Sequence, residues 1–248
     1  MKNYKSIAKK GIALWVLTVL LTFTLKACGK DKMEFPTGII TLTTAKSEVS
    51  LTLRIPADSR NLTIDWGDGK KSNVNDASWD FVASDIQGND FHEFRFVKDY
   101  SNTTKRTIII SGSITGLHCR GEQITHLDLS RIKTVVSLDC SQNMLNTLDA
   151  STNTQLYRLE CDFNQLTSLN VSKNKSLIHL SCVGNELTAS ALNDLFRSLP
   201  FKRGEEYGER GVIFIRHRYP GPLDNPGAWD CDRSIATERG WVFMTLRH

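Results

Sequence analysis

Hydrophobic and polar residues alternate along this chain with three successive periods. From about residue 36 to residue 112 the period is two. Gly38-Ile-Ile-Thr-Leu-Thr-Thr, Val49-Ser-Leu-Thr-Leu-Arg-Ile, Leu62-Thr-Ile-Asp-Trp, Phe91-His-Glu-Phe-Arg-Phe and Arg106-Thr-Ile-Ile-Ile-Ser place β-branched or aromatic residues between turn formers, which predicts strands. Trp66-Gly67-Asp68-Gly69 ends one of them in an Asp-Gly turn, a hairpin signal. Ser72 to Asp90 is mostly polar, with Val74, Trp79, Phe81, Val82 and Ile86 as its main apolar residues, and reads as a long loop. From Ile114 to Leu187 the period is 21 residues, in the frame LxxLxCxxNxLxxLxxSxNxx, with Cys119, Cys140, Cys161 and Cys182 in register. After Thr188 the spacing of Leu192, Leu195, Phe196 and Leu199 is helical, with Ser190 as N-cap and Pro200 as stop. Val212-Ile-Phe-Ile-Arg predicts a strand, Asp230 to Arg239 a second short helix before Gly240, and Trp241-Val-Phe-Met-Thr a last strand.

A 21-residue frame of this kind is a leucine-rich repeat with cysteine at one of the leucine positions. Each unit is expected to be one turn of a solenoid whose short parallel strands stack about 4.8 Å apart. Leu138, Leu159 and Leu180 then form one interior column, Leu145, Leu166 and Leu187 another, and the four cysteines a third. Parallel side chains keep the sulfurs near the strand spacing, far from the roughly 2.05 Å of a disulfide, so these cysteines act as small hydrophobes. Zinc would need ligands that converge on one point. Asn143, Asn164 and Asn185 form a column at the bend after the strand, suited to bonding backbone groups there. Glu122 takes that place in the first unit, and Ser130, Ser151 and Ser172 are expected to do similar work at the opposite bend. The expected architecture is mainly β with an α/β cap. A β-sandwich over 36–112 is followed by a short leucine-rich repeat solenoid over 113–187, closed by two α/β-type repeats over 188–248. Cys231 lacks a partner in this arrangement and is expected at a helix start.

Charge changes the picture only through the N-terminus. Residues 1–27 hold Lys2, Lys5, Lys9, Lys10 and Lys26 and no acid. Removing these five of the 31 basic residues leaves 26 against 27 acids, a net of −1. Such a balance provides no electrostatic footprint for nucleic acid. Lys2 to Lys10 form a basic region and Gly11 to Leu25 an uncharged run of fifteen residues. That run is short for a spanning helix but suits a signal-peptide core. Leu25-Lys26-Ala27-Cys28 then resembles the lipobox of bacterial lipoproteins, in which the cysteine is lipidated and becomes the new N-terminus; Lys26 departs from the small or apolar residue of that motif. Residues 28–35 would be a tether. Ordinary secretion with cleavage nearby, or an uncleaved anchor, remain open alternatives.

The repeats resemble the cysteine-ladder units of internalin-type adhesins. With the export signal and the segment from Asn225-Pro226-Gly227 through Gly240-Trp241, they are similar to leucine-rich repeat surface lipoproteins of Gram-negative gut-commensal bacteria. Ile64-Asp65-Trp66-Gly67-Asp68-Gly69 resembles the W-G-D-G hallmark of PKD-type sandwiches, with Phe96 and Tyr100 as loose counterparts of the later His-x-Tyr element. These resemblances imply a non-enzymatic recognition or adhesion protein, lipid-anchored at the bacterial outer membrane and facing outward. Its partner would be an extracellular protein or glycan. The alternative is a structural or spacer component of a cell-envelope assembly.

Within each repeat the residues flanking the inward leucine are expected to point outward. This sets Gly116, His118 and Arg120 beside Ser137, Asp139 and Ser141, then Arg158, Glu160 and Asp162, then His179, Ser181 and Val183, with Tyr157 and Phe163 at the margins. The ligand-binding candidates are His118, Arg120, Asp139, Tyr157, Arg158, Glu160, Asp162 and His179. Five or six strands give a face about 25 Å wide, suited to a small epitope or a glycan. No Gly-rich phosphate loop, HExxH or GxSxG occurs. His118, Asp139, Glu160 and His179 could imitate a metal or acid–base site, but no nucleophile accompanies them, and neither metal nor cofactor is expected. Asp65, Asp68, Asp76 and Asp80 could supply calcium oxygens, yet they follow no fixed ligand spacing and read as turn-forming surface acids.

Overall fold

A computed structural model describes residues 37–84, 90–202, 210–217 and 224–246. The expected signal peptide, Cys28 and the tether lie outside the described residues, as does Ile86. The chain is mainly β, in two sheets. The strands are β1 (Gly38–Thr44), β2 (Glu48–Pro56), β3 (Leu62–Asp65), β4 (Lys71–Asn73), β5 (Trp79–Ser84), β6 (Asp90–Asp99) and β7 (Arg106–Gly112). They continue as β8 (Gly116–His118), β9 (His126–Arg131), β10 (Ser137–Asp139), β11 (Arg158–Glu160), β12 (His179–Ser181), β13 (Gly211–His217) and β14 (Trp241–Leu246). Helix α1 covers Ala189–Ser198 and α2 covers Ser234–Thr237.

The five predicted N-terminal strands form where the alternation placed them. Leu51, Leu53 and Ile55 of β2, Phe94 and Phe96 of β6, Ile40 and Leu42 of β1 and Ile108 and Ile110 of β7 join one buried cluster with the repeat leucines. The polar stretch after Ser72 is not a long loop. It holds β4, a 3-10 turn at Val74–Asp76 and β5. β4 pairs with β3, and Trp66 Nε1 donates to its Ser72 Oγ at 2.9 Å. β5 is an edge strand on β6 that leaves Phe81 and Val82 exposed, so it lacks the one-sided alternation by which a strand is recognised.

The two sheets run through the expected boundary at residue 112. One has the order β4-β3-β7-β1-β9, the other β14-β13-β12-β11-β10-β8-β2-β6-β5. β9, from the first repeat, pairs antiparallel with β1, while β2 pairs antiparallel with β8 through Thr52↔His118, Leu53↔Leu117 and Arg54↔Gly116. β8, β10, β11, β12, β13 and β14 are parallel and in register, so that Leu117, Leu138, Leu159, Leu180, Ile213 and Phe243 make one row.

The columns of the repeat are held by side chains reaching across units. Asn164 Nδ2 donates to the carbonyls of Cys140 (3.0 Å), Cys161 (3.1 Å) and Asp162 (3.3 Å), and its Oδ1 accepts from Leu145 N at 3.0 Å. Asn143 and Asn185 repeat this pattern. Asn225 continues it beyond the regular repeats, donating to Cys182 O and Ile215 O and accepting from Asn185 N and Leu187 N. Glu122, in the first unit, is instead paired with Lys46 at 3.1 Å. At the opposite bend the connecting groups are Asn153 and Asn174 rather than the serines: Asn153 Nδ2 donates to Ile132 O and Asn174 Nδ2 to Ala150 O and Asn153 O. The serines donate their backbone N–H to Asp128, Asp149 and Asn170 within their own units.

The four ladder cysteines are buried and free. Each thiol points at a backbone carbonyl of the next strand: Cys119 at Asp139 O (3.6 Å), Cys140 at Glu160 O (3.6 Å), Cys161 at Ser181 O (3.3 Å) and Cys182 at Phe214 O (3.7 Å). Burial holds all four thiols well above their ordinary pKa. Helix α1 begins two residues earlier than Ser190 suggested, since Thr188 is the N-cap and accepts from Ala191 N at 3.2 Å. It buries Leu192, Leu195 and Phe196, and Phe243 of β14 meets Phe196 edge-on at 5.4 Å. The second helix is only four residues long. Replacing Asn164 by alanine should cost about 1–3 kcal/mol, because Leu145 N loses its partner and the carbonyls of Cys140, Cys161 and Asp162 each lose one of two donors. Urea unfolding of Asn164→Ala beside the exposed-site control Gln165→Ala measures it.

Candidate binding face

The side chains on the outward side of the nine-stranded sheet form two continuous rows. Strand pairing sets Glu93, Arg54, Gly116, Ser137, Arg158, His179, Val212 and Val242 in one. The second runs Arg95, Thr52, His118, Asp139, Glu160, Ser181, Phe214 and Met244. The inward leucines fix both rows, since alternate residues of a strand must face opposite sides. Gly116 is small because the Arg54 side chain crosses over it; an added Cβ would lie 3.0 Å from Arg54 Cδ.

Charges on this face are matched across strands. Arg158 Nη2 donates to Glu160 Oε1 at 2.6 Å, and His179 Nε2 lies 3.3 Å from the same oxygen. The His179 contact, with Arg158 adding to it against the opposing effect of burial, holds the Glu160 carboxyl below its ordinary range. Arg54 Nε donates to Glu93 Oε2 at 2.6 Å, and its guanidinium stands 4.8 Å from the Phe91 ring centroid. Burial, and then Arg54, push the His118 imidazole below its ordinary pKa. Asp139 Oδ1 accepts from Ser141 N at 3.0 Å. Partly exposed pairs of this sort contribute about 1 kcal/mol or less each, so they shape the surface more than they hold the fold.

Of the eight sequence candidates, the sheet brings His118, Asp139, Arg158, Glu160 and His179 together on one surface. Arg120 is exposed just beyond β8, and Tyr157 is half-buried ahead of β11. Asp162 departs from expectation. It is buried, its carboxylate accepts from Ser181 Oγ (2.7 and 2.8 Å) and Val183 N (2.7 Å), and it serves the bend rather than the face. Ser137, Ser141, Ser181 and Val183, also expected outward, are buried as well. Past each strand the chain bends, with Gly121, Gln142, Phe163 and Gly184 all at positive φ. Phe163 is held at φ 53° with its ring 5.5 Å from that of His217. For a bulky side chain this backbone state is costly.

Arg54, Glu93, Phe91 and Phe214 belong to the face but were not among the candidates. The alternation in β2 and β6 marked the first three as outward; what the sequence lacked was the pairing of β2 with β8. That pairing widens the face from the expected five or six strands to nine. Among the described residues, no group of three or more His, Cys, Asp or Glu side chains is placed to hold a metal ion. Asp65 accepts from Gly67 N, Asp68 holds Lys98 and Lys70 N, Asp76 caps Asn73 N and Asp80 lies 2.8 Å from His92 Nδ1, so each of these acids has a turn or strand contact. On the opposite side of the repeats, an open groove of about 620 Å³ is lined by Asp128, Asp149 and Asn170 with their neighbouring serines.

No family model and no curated protein matches the chain. Among solved structures it is similar to the functional domain of InlJ from Listeria monocytogenes, which includes a cysteine ladder. The identity is 22%, covering 54% of this chain and 25% of that one, with a TM-score of 0.35. The matched part thus spans about a quarter of the length of that chain.

Burial raises the Asp162 carboxyl from 3.8 to about 6. A folded pKa above the unfolded one means that its contribution to stability is full below about pH 4 and is lost as pH rises through 6. Asp162→Asn keeps an acceptor and removes the charge. At pH 7 it should be about 1–3 kcal/mol more stable than the parent, a gain that vanishes by pH 4. Denaturant unfolding of both proteins at pH 4, 5, 6 and 7 measures this. A less stable variant at pH 7 would mean that the bonds to Ser181 and Val183 need the full negative charge.

Proposed function

We propose that this chain is a non-catalytic recognition protein of the bacterial cell surface. In this reading a leucine-rich repeat solenoid joins a PKD-like β-sandwich edge to edge, closed by α/β-type repeats, and the protein binds an extracellular protein partner through its nine-strand face. The observation that carries the reading is the pairing of β2 with β8, which makes one surface of what would otherwise be two. Nine strands at about 4.8 Å extend the face to about 40 Å, enough for a standard interface of about 800 Å² per partner. A glycan alone would need only part of it. Lipidation of Cys28 after cleavage beyond Ala27 would attach the protein to the outer membrane, and the basic, then apolar, N-terminal segment supports export. No helix among the described residues is long and apolar enough to cross a membrane.

One observation favours the alternative of a structural or spacer component in an envelope assembly. The central charges of the face already pair with one another, Arg54 with Glu93 and Arg158 with Glu160. A surface kept soluble in this way does not require a ligand.

The test uses purified extracellular-matrix proteins and a mucin glycan array as probes, with the parent protein and Arg158→Ala/Glu160→Ala. Binding by the parent that falls at least tenfold in the variant, with an unchanged melting temperature, supports recognition through the face. Binding that survives the substitution removes the face, and no binding to either panel favours the spacer. In parallel, intact mass of the protein from membranes should show an acyl adduct on Cys28, and external protease should cleave the repeats on whole cells. An unlipidated or protease-protected chain overturns the surface assignment.

A further inference from the structure

The nine-stranded sheet ends on β14, whose outer edge pairs with no strand among the described residues. Natural sheets blunt such edges with brevity, charge or cover. β4, at the edge of the other sheet, spans three residues, and β5 carries Asp80, which lies against His92 and Arg60. β14 has neither protection: it is six residues long, Trp241 to Leu246, and none is charged. It is also firmly seated, since Trp241 is buried with Nε1 donating to Pro200 O at 2.8 Å, and Phe243 packs on Phe196.

The outward side of this edge differs from the rest of the face. From β6 to β12 each strand places at least one polar or charged side chain in the two rows. On β13 and β14 all four positions, Val212, Phe214, Val242 and Met244, are apolar, and Val242 and Met244 remain 36% and 43% exposed. An apolar patch that reaches an open strand edge suits continuation of the sheet by another strand with the same side chains.

We propose that β14 pairs antiparallel with β14 of a second copy of this chain, extending the sheet across a two-fold axis. Two-fold symmetry makes the strands antiparallel, and opposite residues then share a face. With the axis at Phe243, Val242 of each copy faces Met244 of the other and Trp241 faces Thr245. β14 brings no charge of its own to the junction, and Val242 and Met244 of the two copies meet across it, which removes part of their apolar surface from water. A foreign strand would have to supply that match, whereas β14 supplies it to itself. The proposal goes beyond the recognition reading and does not depend on it.

The experiment is sedimentation velocity of the full chain in a mild, density-matched detergent over roughly a hundredfold range of concentration, where mass action reveals a reversible dimer. The parent should pass from monomer to dimer. Val242→Lys/Met244→Lys, which sets cations opposite one another, should weaken the dimer at least tenfold without lowering the melting temperature. Val82→Lys on the β5 edge should leave it intact. A parent that stays monomeric, a dimer that survives the paired lysines, or one lost only with Val82→Lys would each overturn the proposal. Should the lysine variant fail to fold, Val242→Cys/Met244→Cys decides: mild oxidation should give a reducible dimer on a denaturing gel, and its absence overturns the pairing.

Discussion

Each bend of the repeat array presents backbone N–H and C=O groups that no strand ladder reaches, and the asparagine side chain of the following unit meets them. Asn143 takes the N–H groups of Glu122 and Ile124 and returns its own to Cys119 O, all in the unit before its own. A buried backbone group without a partner costs about as much as a lost hydrogen bond, so a single unit is incomplete by itself. Every unit depends on the next, and the array cannot stop without a substitute. At the C-terminal end the substitute is Asn225, which completes the bend around Asn185 and Leu187 from a chain segment outside the 21-residue frame. At the N-terminal end no earlier unit needs serving. There the column position carries Glu122, whose carboxylate is raised by burial and paired with Lys46 from the connection after β1.

The same constraint explains why the N-terminal strands are not a separate body. The first repeat has a bare strand edge at β8 and another at β9, and β2 and β1 cover them, one from each sheet. Covering both edges removes sites at which a foreign strand could add. It also places Arg54 and Glu93 beside the repeat surface, so that one row of polar side chains crosses between the two sequence regimes. The role of Asp162 follows from the bends as well. Its carboxylate takes backbone and hydroxyl donors that would otherwise be buried unmet, at the cost of burying a carboxyl.

Periodicity is what made the fold legible. The 21-residue spacing identified the in-register row of leucines, the free cysteines and the bend asparagines, because identical surroundings recur and each position has to solve the same packing problem. Where the period breaks, the sequence said less. Asn225 lies outside the 21-residue frame, and only its position beside Asn185 in space shows that it continues a column. β5 was missed because an edge strand with Phe81 and Val82 both exposed shows no inside and outside. Of the candidate face, the strand positions His118, Asp139, Arg158, Glu160 and His179 were readable from alternation, while Asp162 was not: alternation stops at the strand end, where Cys161 and Asp162 are both buried and the Asp162 carboxylate turns to Ser181 Oγ and Val183 N.

The orientation of the cysteines has a consequence for the life of the chain in an oxidising environment. Folded, each ladder thiol gives its hydrogen to a carbonyl one strand away and is shut off from solvent, so the thiolate that attacks a disulfide or an oxidant does not form. The native array is therefore indifferent to redox poise. The same four cysteines lie in one unfolded stretch at equal intervals, where each neighbouring pair could close a loop of the same length. Chemical safety is thus a property of the folded state alone, and completing the stack before oxidation is what preserves it.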